Sequence, residues 1–91
     1  MAKFKLMIDN SRVRVTEWLF DPGDETGQHI HEYDYVVVPM KDGILKIINN
    51  DGSVTLSELK KGVSYLSEKG VNPNVINENK FHYSFVEIEI K

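Results

Sequence analysis

The chain contains no cysteine, which excludes disulfides, thiol nucleophiles and zinc or iron–sulfur sites held by cysteine. It has no basic excess either: 11 Lys and Arg stand against 14 Asp and Glu, for a net charge of −3 and a pI near 5.5. Without a basic stripe to face phosphates, a nucleic-acid partner is not expected. Long hydrophobic runs are missing. The longest, Val36 to Met40, falls far short of the roughly 20 residues that a membrane-spanning helix needs. The start, Met1-Ala2-Lys3-Phe4-Lys5, has no signal-peptide core, so a cytoplasmic location without a membrane partner is expected. Phosphate-binding glycine loops and the spacing of a Ser–His–Asp triad are also absent.

What remains is an ordinary globular composition. Of 91 residues, 41% are apolar and 27% charged, which suits one modest core and argues against disorder. No linker, repeat or low-complexity run divides the chain, so residues 1–91 are read as a single domain. Turn-forming clusters recur at Asp9-Asn10-Ser11, Asp21-Pro22-Gly23, Asp42-Gly43 and Asn49-Asn50-Asp51-Gly52, supplying residues that tolerate positive φ or preset a bend. Between them lie strand-like runs at Phe4–Ile8, Arg12–Phe20, Tyr35–Met40, Ile44–Ile48 and Val54–Leu56. This spacing predicts an all-β sandwich or barrel of short antiparallel strands.

Two segments need arbitration. Leu56, Leu59, Val63 and Leu66 fall at helical spacing, but Gly62 interrupts them at a cost of about 1 kcal/mol relative to alanine. Two strands with a turn at Lys60-Lys61-Gly62 are therefore expected. Phe81 to Ile90 alternates, with Val86, Ile88 and Ile90 on one face and Phe81, Tyr83, Phe85, Glu87 and Glu89 on the other. The aromatic row suits an outer face covered by another element or subunit; packing on the chain's own first strands is the other reading.

The stretch Gly23-Asp24-Glu25-Thr26-Gly27-Gln28-His29-Ile30-His31 carries the chemistry. Two histidines at i and i+2 on a strand share a face, with Cα atoms about 6.5–7 Å apart. Their imidazoles can converge on one cation as two of its ligands. Without a metal they can line a polar pocket by hydrogen bonding or act as general acid–base groups, since histidine titrates near neutrality. His82 and the tyrosines Tyr33, Tyr35 and Tyr65 are further candidates, each with a structural role as the alternative. Arg12 and Arg14 read as surface or interface charges more readily than as a carboxylate clamp.

These residues resemble the cupin superfamily, small antiparallel β-barrels (jelly roll or double-stranded β-helix) that include metal-dependent enzymes and small-molecule-binding domains. Gly23, His29, His31 and Gly43 fall in register with its first motif, and Gly62, Gly70 and Asn77 with its second. The stretches Arg12–Trp18, Pro22-Gly23, Glu25-Thr26-Gly27 and Asp34–Pro39 look like the small single-domain cupins associated with bacterial β-alanine degradation. The resemblance implies a pocket around His29, His31, Tyr35 and His82, and a divalent transition metal (Zn, Fe, Mn or Ni) held by His29 and His31. It departs from the family at two ligand places. The glutamate place is Val36, or alternatively Tyr35, and the second histidine place is Pro73. Asp34, Glu32 and His82 are the nearest substitutes, but none falls at a family ligand place, so the two losses imply weakened or absent metal binding.

Three functions follow: a metal-dependent enzyme of small organic-acid or amine catabolism, a metal-free small-molecule-binding module, or a structural subunit presenting the aromatics near Phe81 and Tyr83. A homodimer is expected, with Phe4–Ile8 as an edge strand for a partner to cover.

Overall fold

The predicted turns separate eight antiparallel strands in the computed structural model, which describes residues 1–91 and contains no helix. They are β1 (Lys3–Asp9), β2 (Val13–Phe20), β3 (Asp34–Pro39), β4 (Gly43–Ile48), β5 (Val54–Leu59), β6 (Tyr65–Ser67), β7 (Asn74–Asn77) and β8 (Tyr83–Ile90). Five form one sheet in the order β1-β2-β8-β3-β6, and three form a second in the order β5-β4-β7. The inner faces of the two sheets enclose the core, as in a cupin barrel. The ambiguous segment resolves into β5 and β6, with a turn that places Gly62 at φ +76°. A helix there would have left β3 and β4 each unpaired along one edge.

Alternation decides what each strand contributes to the interior. On β2, Thr16, Trp18 and Phe20 face inward, opposite Glu87, Phe85 and Tyr83 of β8. The aromatic row of β8 is therefore internal: Tyr83 is fully buried, and the Phe85 and Phe20 rings meet at a tilt with centroids 5.5 Å apart. Packing on the chain's own first strands is the arrangement found. Burial of Tyr83 also removes it from any surface that the structural-subunit reading would use. Its partner in that reading, Phe81, is exposed outside β8 beneath Lys41.

The tight end of the barrel holds Phe20, Pro39, Leu45 and Tyr83. Tyr83 donates its hydroxyl proton to the Lys41 carbonyl at 2.9 Å, so its polar atom is satisfied. Gly43 is a close-approach position, because a Cβ there would lie 2.7 Å from the Tyr83 ring. Asn77 is fully buried and acts as a pin. It donates to the Phe20 and Phe81 carbonyls and accepts from the backbone and side-chain amides of Asn79.

β7 has no counterpart among the runs read from sequence. Asn74-Val75-Ile76-Asn77 is short and flanked by turn formers, and its strand conformation comes from pairing with β4. The second departure concerns the histidine pair, which lies on irregular backbone before β3, not on a regular strand. The pair still behaves as strand residues do. The His29 and His31 amides donate to the Pro73 and Val71 carbonyls, and the Gly70 amide donates back to the His31 carbonyl. This ladder keeps the chain extended, so both rings emerge on one side.

Candidate functional site

The turn into the site depends on Gly27, whose φ of +80° is unfavourable for a residue with a side chain. Its amide donates to Asn74 Oδ1, and its carbonyl accepts from His29 Nδ1 at 2.9 Å. A carbonyl can only accept, so neutral His29 carries its proton on Nδ1 and keeps a lone pair on Nε2. Backbone contacts of this kind orient ligating histidines in metal sites. The other face of the pair is aromatic: Trp18 stacks on His29 at 6.1 Å, and Tyr35 stacks on His31 at 4.0 Å. The two imidazoles themselves are 4.5 Å apart.

Glu87 completes the cluster. It points inward from β8, in register with Thr16 of β2 and Val37 of β3. Its carboxylate oxygen, the His31 nitrogen and the His29 nitrogen all lie within 4.8 Å of one another. Glu87 and His31 are buried, whereas His29 is half-buried. The one hydrogen bond to the Glu87 carboxyl is a long one from Trp18 Nε1, at 3.4 Å. Burial pushes the Glu87 carboxyl up to about 7. His31 moves the other way, down to about 4, chiefly through burial and secondly through the neighbouring His29. The His31–Glu87 separation of 3.7 Å is thus not an ion pair near neutral pH, because the imidazole is neutral there.

A buried carboxyl with so few partners, beside an imidazole whose free nitrogen is fixed, is a donor set that fits a divalent metal. Two nitrogens and one oxygen on one side of a cation leave the remaining positions open to water or ligand. His29, His31 and Tyr35 line a common hollow. His82 does not join them. It is exposed, just ahead of β8, and its carbonyl accepts from Lys41 Nζ. Asp34 is exposed as well and accepts the Lys69 amide.

The departures from the family pattern now have positions. Val36 pairs with Ile88 on the outer face of the large sheet, whereas Tyr35 is buried inside against His31. Pro73 lines the hollow but offers it no ligating side chain. The carboxylate comes instead from the last strand. Sequence reasoning placed Glu87 with the aromatic row and gave it no role; its inward parity, shared with Phe85, was the available signal.

The cluster forms a neck between two hollows. An inner chamber of about 160 Å³ lies between the sheets, and an outer hollow of about 530 Å³ opens beside β1. Trp18, Thr26, His29, His31 and Glu87 line both.

Two facing sheets with a His-x-His pair at the neck of an internal chamber define a cupin-type barrel. Comparison with known proteins agrees. No family model matches the chain. It is 46% identical over 86 residues to the β-alanine degradation protein BauB of Pseudomonas aeruginosa, covering 94% of this chain and 90% of that protein. A cupin domain from Bordetella pertussis superposes with a TM-score of 0.95 at 52% identity, over 99% of this chain and 93% of that one. An RmlC-like cupin from Methanocaldococcus jannaschii shares the fold at a TM-score of 0.82 but only 13% identity, over 99% and 80% of the two chains. The chain belongs to the cupin family.

Proposed function

We propose that the chain is a metal-dependent enzyme of small organic-acid or amine catabolism, with His29, His31 and Glu87 as the ligands of one divalent transition metal (Zn, Fe, Mn or Ni). The observation that carries this reading is the convergence of three donor atoms within 4.8 Å at the neck. The name of the Pseudomonas relative, a β-alanine degradation protein, supports the catabolic setting, and the cytoplasm is the compartment that such a role fits.

When bound, the metal supplies Lewis acidity to an oxygen-bearing substrate. The rest falls to the chain. The Gly27 carbonyl fixes the His29 tautomer. Trp18 and Tyr35 hold the two rings in place and keep bulk water from their faces. Glu87, with its pKa raised to about 7, can give or take a proton near neutrality when it is not ligating.

Metal content is the test. Protein reconstituted with Mn²⁺, Fe²⁺, Ni²⁺ or Zn²⁺ is expected to retain about one equivalent of at least one of them. His31→Ala and Glu87→Ala should each lower affinity by tenfold or more. Less than about a tenth of an equivalent after reconstitution with each of the four would refute the metal centre, taking three to four ligands as the requirement.

A second reading, a metal-free binding module, is favoured by one observation: burial holds His31 neutral at pH 7 and raises Glu87 toward its protonated form, so the neck carries little charge without a cation. In that case a small ligand should raise the melting temperature of the metal-free protein, and the double variant His29→Ala/His31→Ala should not respond to it.

We also propose a homodimer. β1 is an edge strand exposed along its whole length. Ile8, Val15, Ile88, Val36 and Leu66 form one apolar row across the outer face of all five strands of the large sheet. A second copy laid across this row would cover both features. Light scattering should return twice the chain mass, and Leu66→Glu should shift it toward the monomer. A monomer at tens of micromolar would remove this part of the proposal.

A further inference from the structure

The inner chamber is unlike the neck above it. Its walls include Val37, Leu45, Ile47, Val75 and Phe85, and besides the cluster they carry the polar side chains of Asn49 and Ser67. Ile47 and Val75 pair across β4 and β7 and both line the chamber, yet neither is fully buried, because the space before them is open. A well-packed core does not leave inward-facing apolar side chains uncovered in this way. The chamber measures about 160 Å³. An engineered apolar cavity of about 150 Å³ stays dry and accepts benzene, so a space of this size suits a body of about six carbons.

The head group follows from charge. A divalent cation on two neutral imidazoles and one carboxylate leaves the neck with one net positive charge, which favours an anionic oxygen. The outer hollow beyond it offers no home for a second anion. Its one arginine, Arg14, lies 3.6 Å from Asp9 and 3.5 Å from Glu89, the Met1 ammonium lies 3.2 Å from Asp24, and Glu32 and Glu89 both line that hollow.

Resting on the metal-site reading above, we infer that the substrate or ligand is a short apolar monocarboxylate, whose branched or aromatic body of about six carbons fills the chamber while its carboxylate sits at His29, His31 and Glu87. A zwitterion such as β-alanine would bring a charged ammonium against the Ile47 and Val75 walls and leave them largely uncovered. The specificity residues are those two side chains.

The test is a size series on the full chain, both metal-loaded and metal-free: acetate, β-alanine, 3-methylbutanoate and benzoate, followed by calorimetry and by amide NMR shifts. Each buried methylene is worth about fourfold in affinity. With metal bound, 3-methylbutanoate and benzoate should therefore bind at least tenfold more tightly than acetate or β-alanine, and should move the amide signals of Ile47 and Val75. Ile47→Phe and Val75→Phe, which fill the chamber from adjacent strands, should each cost benzoate at least tenfold while leaving metal affinity within about twofold.

Equal affinity across the series, preference for β-alanine, or unchanged benzoate binding in both folded variants would overturn the inference. Because the series on the unaltered protein needs no variant, it decides the matter even if neither substitution folds. Metal uptake without size selection defeats the chamber and spares the metal centre. Size selection in a protein that takes up no metal upholds the chamber's apolar specificity and defeats the metal centre.

Discussion

Glu87 Oε1 lies 3.7 Å from His31 Nε2, and burial drives the two groups toward their uncharged forms instead of toward an ion pair. The stability of the protein should carry the signature of that arrangement. Glu87 titrates near 7 in the fold against a usual 4.5, so the native state holds more protons than the unfolded chain between those values. Its contribution is present below pH 4.5 and is lost as pH rises toward 7. His31 titrates near 4 against a usual 6.5, so its contribution is present above 6.5 and is lost as pH falls toward 4. The two slopes oppose each other between about 4.5 and 6.5. Glu87→Gln removes one of them, and its stability relative to the unaltered protein should improve steadily from pH 4.5 to 7. Denaturant unfolding at several pH values measures this; a constant difference would contradict the assignment.

Trp18 is the only tryptophan and stacks on His29 while touching Glu87 through its ring N–H. Its fluorescence is therefore a direct report on the neck. Ni²⁺ or Co²⁺ should quench it with one-to-one stoichiometry, and His29→Ala should abolish the effect. Because Glu87 must lose its proton to ligate, the apparent affinity should rise about tenfold per pH unit up to about 7 and then level off. Quenching independent of pH would exclude the carboxylate from the metal's coordination.

Asn77 satisfies two carbonyls and two amides from a fully buried position. Asn77→Ala should cost roughly 3 kcal/mol by stranding those partners. Chemical denaturation would register the loss, and a change below 1 kcal/mol would mean that water replaces the side chain.

Gly43→Ala drives a methyl group to within 2.7 Å of the Tyr83 ring. Overpacking of this kind should destabilise the protein by about 1–3 kcal/mol. The penalty should shrink in a Tyr83→Leu background, where the ring that it meets is gone. Thermal melts of the single and double variants would decide, and full additivity would rule out the clash as the cause.

The strands and turns were legible because their signals are local. Gly23, Gly27, Gly52, Gly62 and Gly70 all adopt positive φ, and Gly23, Gly52 and Gly62 lie in turns that the residues themselves predict. Gly62 also settled the choice between a helix and two strands. The histidine pair could be read as a unit because an i, i+2 spacing in extended chain brings two side chains to one side. β7 was missed for the converse reason. Asn74–Asn77 has weak strand character of its own and owes its conformation to β4 and to the bridge between Glu25 and Ile76.

By itself, the sequence determined an all-β cupin chain, the sorting of each strand's side chains into two sets, and the two histidines. Only the tertiary structure decided which set faces inward. Alternation separates Glu87 from Val86 and Ile88 but assigns neither to the core, since both sets of β8 are partly apolar. Pairing with β2 and β3, and the cover of the second sheet, broke that tie. The same event brought Glu87 beside His31, left His82 in solvent, and set the apolar chamber beneath them. Such contacts join residues far apart in the chain, and no local pattern encodes them.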